Sequence, residues 1–389
     1  MIAKMRGGNI DKLSRQKRNY PIFLILRLIF LILILTACAQ KEQLKQKVTA
    51  KNEKPKSPAT ALGNEWKLPI SIPEGEFYKF VGWLSGTKVL YITNLEQTSS
   101  VYQYNLLTGK SELIYKSEYP IVNVQISPSK KRMLIHTSPS SYEGVVTIID
   151  IKGKEQLKKS FASYELSFEW NPYKESEILV TKFNEDWSFQ ILLLDLNKSN
   201  TTELTLPQPF IKWKGENEVA FINWDENNPS LFAPLIDRSL ENGMEKTLFS
   251  SVIDFSEFRD LLVTVSVNEQ DQSMANYSFF DKEMKKLFTF SIPQLTNYSD
   301  WLVPSYDYNE QKGQFFTFSP VTSGEADSYT EGFQLLAFNP KNGSSSLIMD
   351  GLENEPIHLS PTGDALLYGN QFEKIIDIKA KKIYELIKE

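Results

Sequence analysis

The chain has 389 residues, 41% hydrophobic and 12% aromatic, enough apolar side chain for a large folded core and too much for a disordered polymer. Its net charge of -5 hides a split: residues 1–37 carry +6, residues 39–63 carry +4, and residues 64–389 carry -15. An acidic globule of this kind excludes a nucleic-acid binder working through phosphate contacts, and a single cysteine excludes a disulfide framework.

The first element is a basic stretch, followed by the apolar run from Ile22 to Leu35, interrupted by Arg27, and then Thr36-Ala37-Cys38. That order is the layout of a bacterial secretory signal. The run is only just long enough to span a bilayer, and Arg27 breaks it. Leu35-Thr36-Ala37-Cys38 resembles the lipobox of bacterial lipoproteins. The resemblance implies that the Cys38 thiol takes a diacylglyceryl group and becomes the mature N-terminus, with palmitate-type acyl chains holding the protein on the extracytoplasmic face of the cell membrane. Residues 39–63 contain no aromatic residue and place six lysines around Pro55 and Pro58, which reads as a flexible tether. The expected organisation is a lipoprotein signal peptide over 1–37, a lipidated Cys38 and Lys-rich tether over 38–63, and a β-propeller domain over 64–389.

The propeller expectation rests on a repeat. An apolar run ending in Asn or Asp, a polar turn and a second apolar run recur at Asn105, Asp150, Asp195, Asp237, Asp281, Asn339 and Asp377, in steps of 45, 45, 42, 44, 58 and 38 residues. This is the period of a four-stranded blade. In the second unit the strands read Val122–Ile126, Arg132–Thr137, Val145–Asp150 and Gln156–Phe161, with turn chemistry between them. The last unit reads Pro356–Leu359, Ala365–Tyr368, Lys374–Ile378 and Ile383–Ile387, and ring closure either uses these four or borrows Trp66–Ile72. The fold class is therefore all-β, a propeller of seven four-stranded blades.

The stretch Ser360-Pro361-Thr362-Gly363-Asp364-Ala365-Leu366-Leu367-Tyr368 resembles the SPDG-type blades of TolB-like propellers. With the lipobox and tether, the layout of the whole chain resembles the YqgU-like β-propeller lipoproteins of Bacillus-type bacteria. That resemblance implies a fold and a location only.

Chemistry-bearing motifs are scarce. His136 and His358 are the only histidines, fall in different blades, and read as structural. The repeated Asn and Asp of the register read as turn-starters that cap their own backbone. Acidic clusters at 184–186, 225–228 and 268–271 lack the calcium-loop pattern and read as hairpin tips, so no metal or cofactor is expected. Trp83, Trp170 and Trp213 occupy equivalent places before the first turn and read as blade-to-blade packing. Trp187 and Trp224 fall outside that register, beside loops, and are the candidate exposed contacts; Trp301 also falls outside it.

The interval of 58 residues contains an acidic stretch over 319–332, read as a flexible insertion. Glu325, Asp327, Tyr329 and Glu331 are its candidate binding residues. The functional expectation is a monomeric, non-catalytic binding or scaffold module for a protein or cell-envelope component. The alternative is an extracytoplasmic hydrolase or lyase on glycan or peptide, using carboxylates of the central channel.

Overall fold

Short β-branched and aromatic runs separated by turn residues fold here as hairpins, and the computed structural model places them in seven antiparallel sheets, each of four strands in chain order. It describes residues 66–388 except 226, 229 and 298–300, so the signal region, Cys38 and the tether lie outside the described residues. The sheets cover 76–117, 121–162, 165–204, 212–252, 254–293, 306–352 and 357–385. Sheet 2 shows how well period and turn chemistry locate strands: Ile121–Ile126, Arg132–Ser140, Glu143–Asp150 and Glu155–Ala162. Among the described residues the one helical turn is Ala326–Ser328.

The core lies between sheets. Val89, Tyr91 and Trp83 of sheet 1 pack with Leu367 and Ile375 of sheet 7, and Leu134 and Val146 of sheet 2 pack with Phe168 and Trp170 of sheet 3. Trp83, Trp170 and Trp213 are all buried at such seams, as their shared register requires. Two of them also bond across the seam. The Trp83 indole N–H donates to the His358 carbonyl at 3.0 Å, and that of Trp213 to the Glu169 carbonyl at 3.1 Å. The first bond joins the first sheet to the last. The last sheet draws its four strands from 357–385, and the segment before sheet 1 adds a single parallel bridge, Ile70 to Ile387, beside it.

Six of the seven register residues cap the turn they begin. Asn105 Oδ1 accepts from the N–H of Leu107 and Thr108 (3.0 and 3.1 Å), Asp150 Oδ1 from Lys152 (2.8 Å), Asp195 Oδ1 from Asn197 (2.9 Å). Asp281, Asn339 and Asp377 do the same for Lys285, Lys341 and Ala380. Asp237 is the exception, turning instead to Lys214 Nζ at 3.1 Å.

The long interval splits in two, and its acidic stretch is pinned where a flexible insertion was expected. Ser319 and Pro320 end a strand and are buried, leaving 321–332 as the loop. A linker over 294–305 supplies the remaining length. Leu295 and Thr296 of that linker pair with Leu302 and Trp301 and, in parallel, with Gly324 and Glu325 of the loop. Tyr329 closes the loop on itself, its hydroxyl accepting from Val321 N–H (2.7 Å) and donating to the Gly332 carbonyl (2.6 Å).

Antiparallel order sends the loops to two faces. The second-to-third-strand loops and the linkers between sheets lie on one, and the first-to-second and third-to-fourth turns lie on the other. Among the described residues, the loops and linkers of the former carry thirteen Asp and Glu and no Lys or Arg. The turns of the latter carry fourteen Lys and Arg against eight Asp and Glu.

Candidate binding face

Three separate sequence features meet on the acidic face. Trp187 lies in the second-to-third-strand loop of sheet 3, Trp224 in that of sheet 4, and Glu325, Asp327, Tyr329 and Glu331 in that of sheet 6. Glu325, Asp327 and Glu331 are exposed. Tyr329 is half-buried against Phe333, with its hydroxyl used inside the loop, so it shapes the loop.

Trp187 is 61% exposed and is held in the left-handed region at φ 63°. A bulky residue there is strained, and a tight local network imposes it. Asn184 N–H donates to the Ser188 carbonyl (2.9 Å), Trp187 N–H to the Asn184 carbonyl (3.0 Å), and Asp186 Oδ1 accepts from the Ser188 hydroxyl (2.6 Å) and N–H (3.0 Å). Those two donors also hold the Asp186 carboxyl below its usual range. The indole is thereby presented outward, at the centre of a row of rings: Tyr142 to Tyr164 and Tyr164 to Trp187 at 6.4 Å, Trp187 to Phe183 at 5.9 Å, Phe183 to Phe210 at 5.8 Å. The period alone could not reveal this row. Tyr142 and Trp187 come from loops within sheets, but Tyr164 and Phe210 come from the linkers that follow sheets 2 and 3.

Beside Phe210, which is 72% exposed, opens a cavity of 390 Å³. Phe210 and Trp224 form its aromatic rim, Thr181 is on its wall, and Glu169, Lys212 and Asp254 carry its charge. Gln208 Nε2 donates to the Trp224 carbonyl at 3.0 Å, tying the Trp224 loop to the linker that bears Phe210. Lys212 Nζ sits 2.8 Å from Glu169 Oε2, and the Tyr306 hydroxyl donates to Asp254 Oδ2 at 2.9 Å. Burial pushes both carboxyls up, against the pull of Lys212 on Glu169 and of the Tyr306 bond on Asp254. A second cavity of 360 Å³ on the same face is lined by Phe232, Glu269 and Trp301.

Glu169, Lys212, Asp254 and Tyr306 stand on the first strands of sheets 3 to 6, which together carry carboxyls and a cation. Further along, Lys214 pairs with Asp237, and burial first and Asp237 second push Glu257 up to about 8 although Lys214 opposes it. Asp307 Oδ2 accepts from Leu359 N–H at 2.7 Å. Burial raises the Asp307 carboxyl although His358 and Lys130 pull it down. His358 is itself lowered by burial, and burial takes His136, its ring 5.3 Å from Phe168, down to about 4. Among the described residues no three His, Cys, Asp or Glu side chains are grouped to hold a metal ion.

The pattern of the YqgU-like 6-bladed β-propeller domain matches residues 105–369. The chain belongs to this family. Its match begins at the end of the third strand of sheet 1 and stops after the second strand of sheet 7, which sets the family's six blades beside the seven four-stranded sheets found here. The uncharacterized lipoprotein YqgU of Bacillus subtilis is 28% identical over 358 residues, 92% of this chain and 94% of that protein. The crystal structure of the uncharacterized protein lmo1340 from Listeria monocytogenes superposes with a TM-score of 0.77 at 26% identity, covering 82% of this chain and 97% of that one. The β-propeller domain of the Trilobed protease from Pyrococcus furiosus shares the fold alone, with a TM-score of 0.54 and 13% identity over 80% of this chain and 98% of that one.

Proposed function

We propose that the protein is a membrane-tethered extracytoplasmic binding module, anchored through an acylated Cys38. Its acidic, aromatic face engages a protein or cell-envelope component that carries positive charge beside apolar groups. The observation that carries this reading is the meeting of Trp187, Trp224 and the 325–331 carboxylates on a face whose described loops hold no Lys or Arg. Rigid aromatic side chains supply contact area at low entropic cost, and unopposed carboxylates select a cationic partner. A lipoprotein relative matching nearly end to end supports the anchor, and the seam bond from Trp83 to His358 supports a closed ring of seven blades, which we take to act as a monomer. Cross-linking in intact cells tests the reading. Specific adducts that vanish on Trp187→Ala with Trp224→Ala support it, and adducts indifferent to both changes refute it.

A hydrolase or lyase is the second reading, favoured by one observation: Glu169 and Asp254 line the same cavity with both carboxyls raised. A carboxyl raised by burial inside a cavity suits a general acid. Turnover of wall-derived glycans or peptides that is lost in Asp254→Asn would establish it, and none by the wild type would end it.

A further inference from the structure

The opposite face is charged in the other sense, and the chain enters the propeller there. Lys67 N–H donates to the Leu106 carbonyl at 2.7 Å, and the Tyr104 hydroxyl donates to the Lys67 carbonyl. Leu106 belongs to the third-to-fourth-strand turn of sheet 1, a turn of the Lys-rich face. Residue 75 has already crossed to the acidic side, where Gly75 lies against the Asn94 carbonyl. The first described residues, Trp66 and Lys67, therefore join the fold on the Lys-rich side, and the sequence between Cys38 and Trp66 can span at most about 100 Å.

We propose that the Lys-rich face is a membrane-docking surface that lies against anionic lipid headgroups and turns the acidic, aromatic face outward. This rests on the anchor at Cys38 given above. Charge complementarity fixes the choice between faces. Lys131, Lys152, Lys154, Lys341, Lys379 and Lys381 are all exposed at turn tips, where they meet phosphate without displacing any strand. Loops bearing only carboxylates would be repelled by the same headgroups within a Debye length of about 8 Å. Leu107, Ile151 and Met244 stand exposed at third-to-fourth-strand turns of sheets 1, 2 and 4, Met244 to 70%, and Ile151 sits beside Lys152 and Lys154. Exposed apolar tips on a face rich in cations are the composition that settles into a headgroup layer. A ligand face directed away from the bilayer also leaves the 390 Å³ cavity open to a partner.

The test uses the full acylated chain in vesicles of phosphatidylcholine, with or without a third of phosphatidylglycerol, and a quencher on the headgroups. Cys38 is the only cysteine and is taken up by lipid, so an introduced thiol is labelled uniquely. Fluorophores are attached through Asn342→Cys on the Lys-rich face or Ser328→Cys on the acidic face, both exposed positions. In anionic vesicles the probe at 342 is expected to be quenched several-fold more than the probe at 328. High salt, or Lys131→Glu, Lys152→Glu, Lys341→Glu and Lys381→Glu together, is expected to abolish the difference while the thermal melt stays unchanged. Equal quenching, stronger quenching at 328, or a difference indifferent to charge reversal overturns the orientation. Protein that fails to float with the vesicles overturns the anchor as well, which separates the two failures.

Discussion

The Trp83 indole N–H donates to the backbone carbonyl of His358 at 3.0 Å, joining residues 275 positions apart across the seam between the first and last sheets. Trp83 is 1% exposed, so the bond lies inside the packing that closes the ring. Trp83→Phe keeps a ring and loses the donor, which is expected to cost about 1 kcal/mol. Trp83→Ala also leaves a cavity, and about 3 to 5 kcal/mol is expected. Denaturant unfolding checks both, and similar costs for the two variants would mean that the seam is loosely packed.

Glu257 is expected to lower stability as pH rises from about 5 to about 8, and above about 6.5, where the opposing His136 effect has ended, the net slope is its own. Its folded pKa of about 8 lies above the ordinary value of 4.5, so through this window the native state keeps a proton that the unfolded chain has released. Ionisation then opposes folding by on the order of a few kcal/mol, complete above the folded pKa. Glu257→Gln is expected to remove the slope and to raise the melting temperature at alkaline pH. An unchanged slope in that variant would place the effect elsewhere.

His136 acts on the acid side with the opposite sign. Burial lowers it from 6.5 to about 4, so below 6.5 the unfolded chain takes up a proton that the native state refuses. Stability is therefore lost as pH falls from 6.5 toward 4, by on the order of 3 kcal/mol. His136→Leu is expected to flatten this limb in melts across that range, and a limb as steep as the wild type's would acquit His136.

Trp187 is held at φ 63° with its indole outward. Trp187→Gly suits the backbone and relieves a strain of about 1 to 2 kcal/mol, which offsets the lost ring contacts. Its stability is expected to stay within about 1 kcal/mol of the wild type while partner cross-linking falls. A large loss of stability would mark Trp187 as a structural residue.

Much of this was legible in the chain itself. The spacing of Asn105, Asp150 and Asp195 located the third-to-fourth-strand turns because each residue caps its own turn, a local interaction that local sequence encodes. Asp237 breaks the rule for a reason no local pattern carries: Lys214, 23 residues earlier, stands opposite it. The excess near 319–332 was visible as length, but its pinning was not. The segment that holds it, Leu295–Thr296, lies before the sheet that contains the loop. The aromatic row stayed hidden because its members come from unlike loops, and the contrast between faces because it emerges only when loops are sorted by the edge they leave.

We propose above all that the acidic, aromatic face is the ligand face. The most direct measurement is site-by-site photo-crosslinking in living cells, with a photoreactive residue placed at Trp187, Phe210 or Trp224 and, on the other face, at Asn342. A discrete adduct from the first three positions, absent at 342 and weakened at high salt, is expected. No discrete adduct from any of the three, or the same adduct from 342, would contradict the claim.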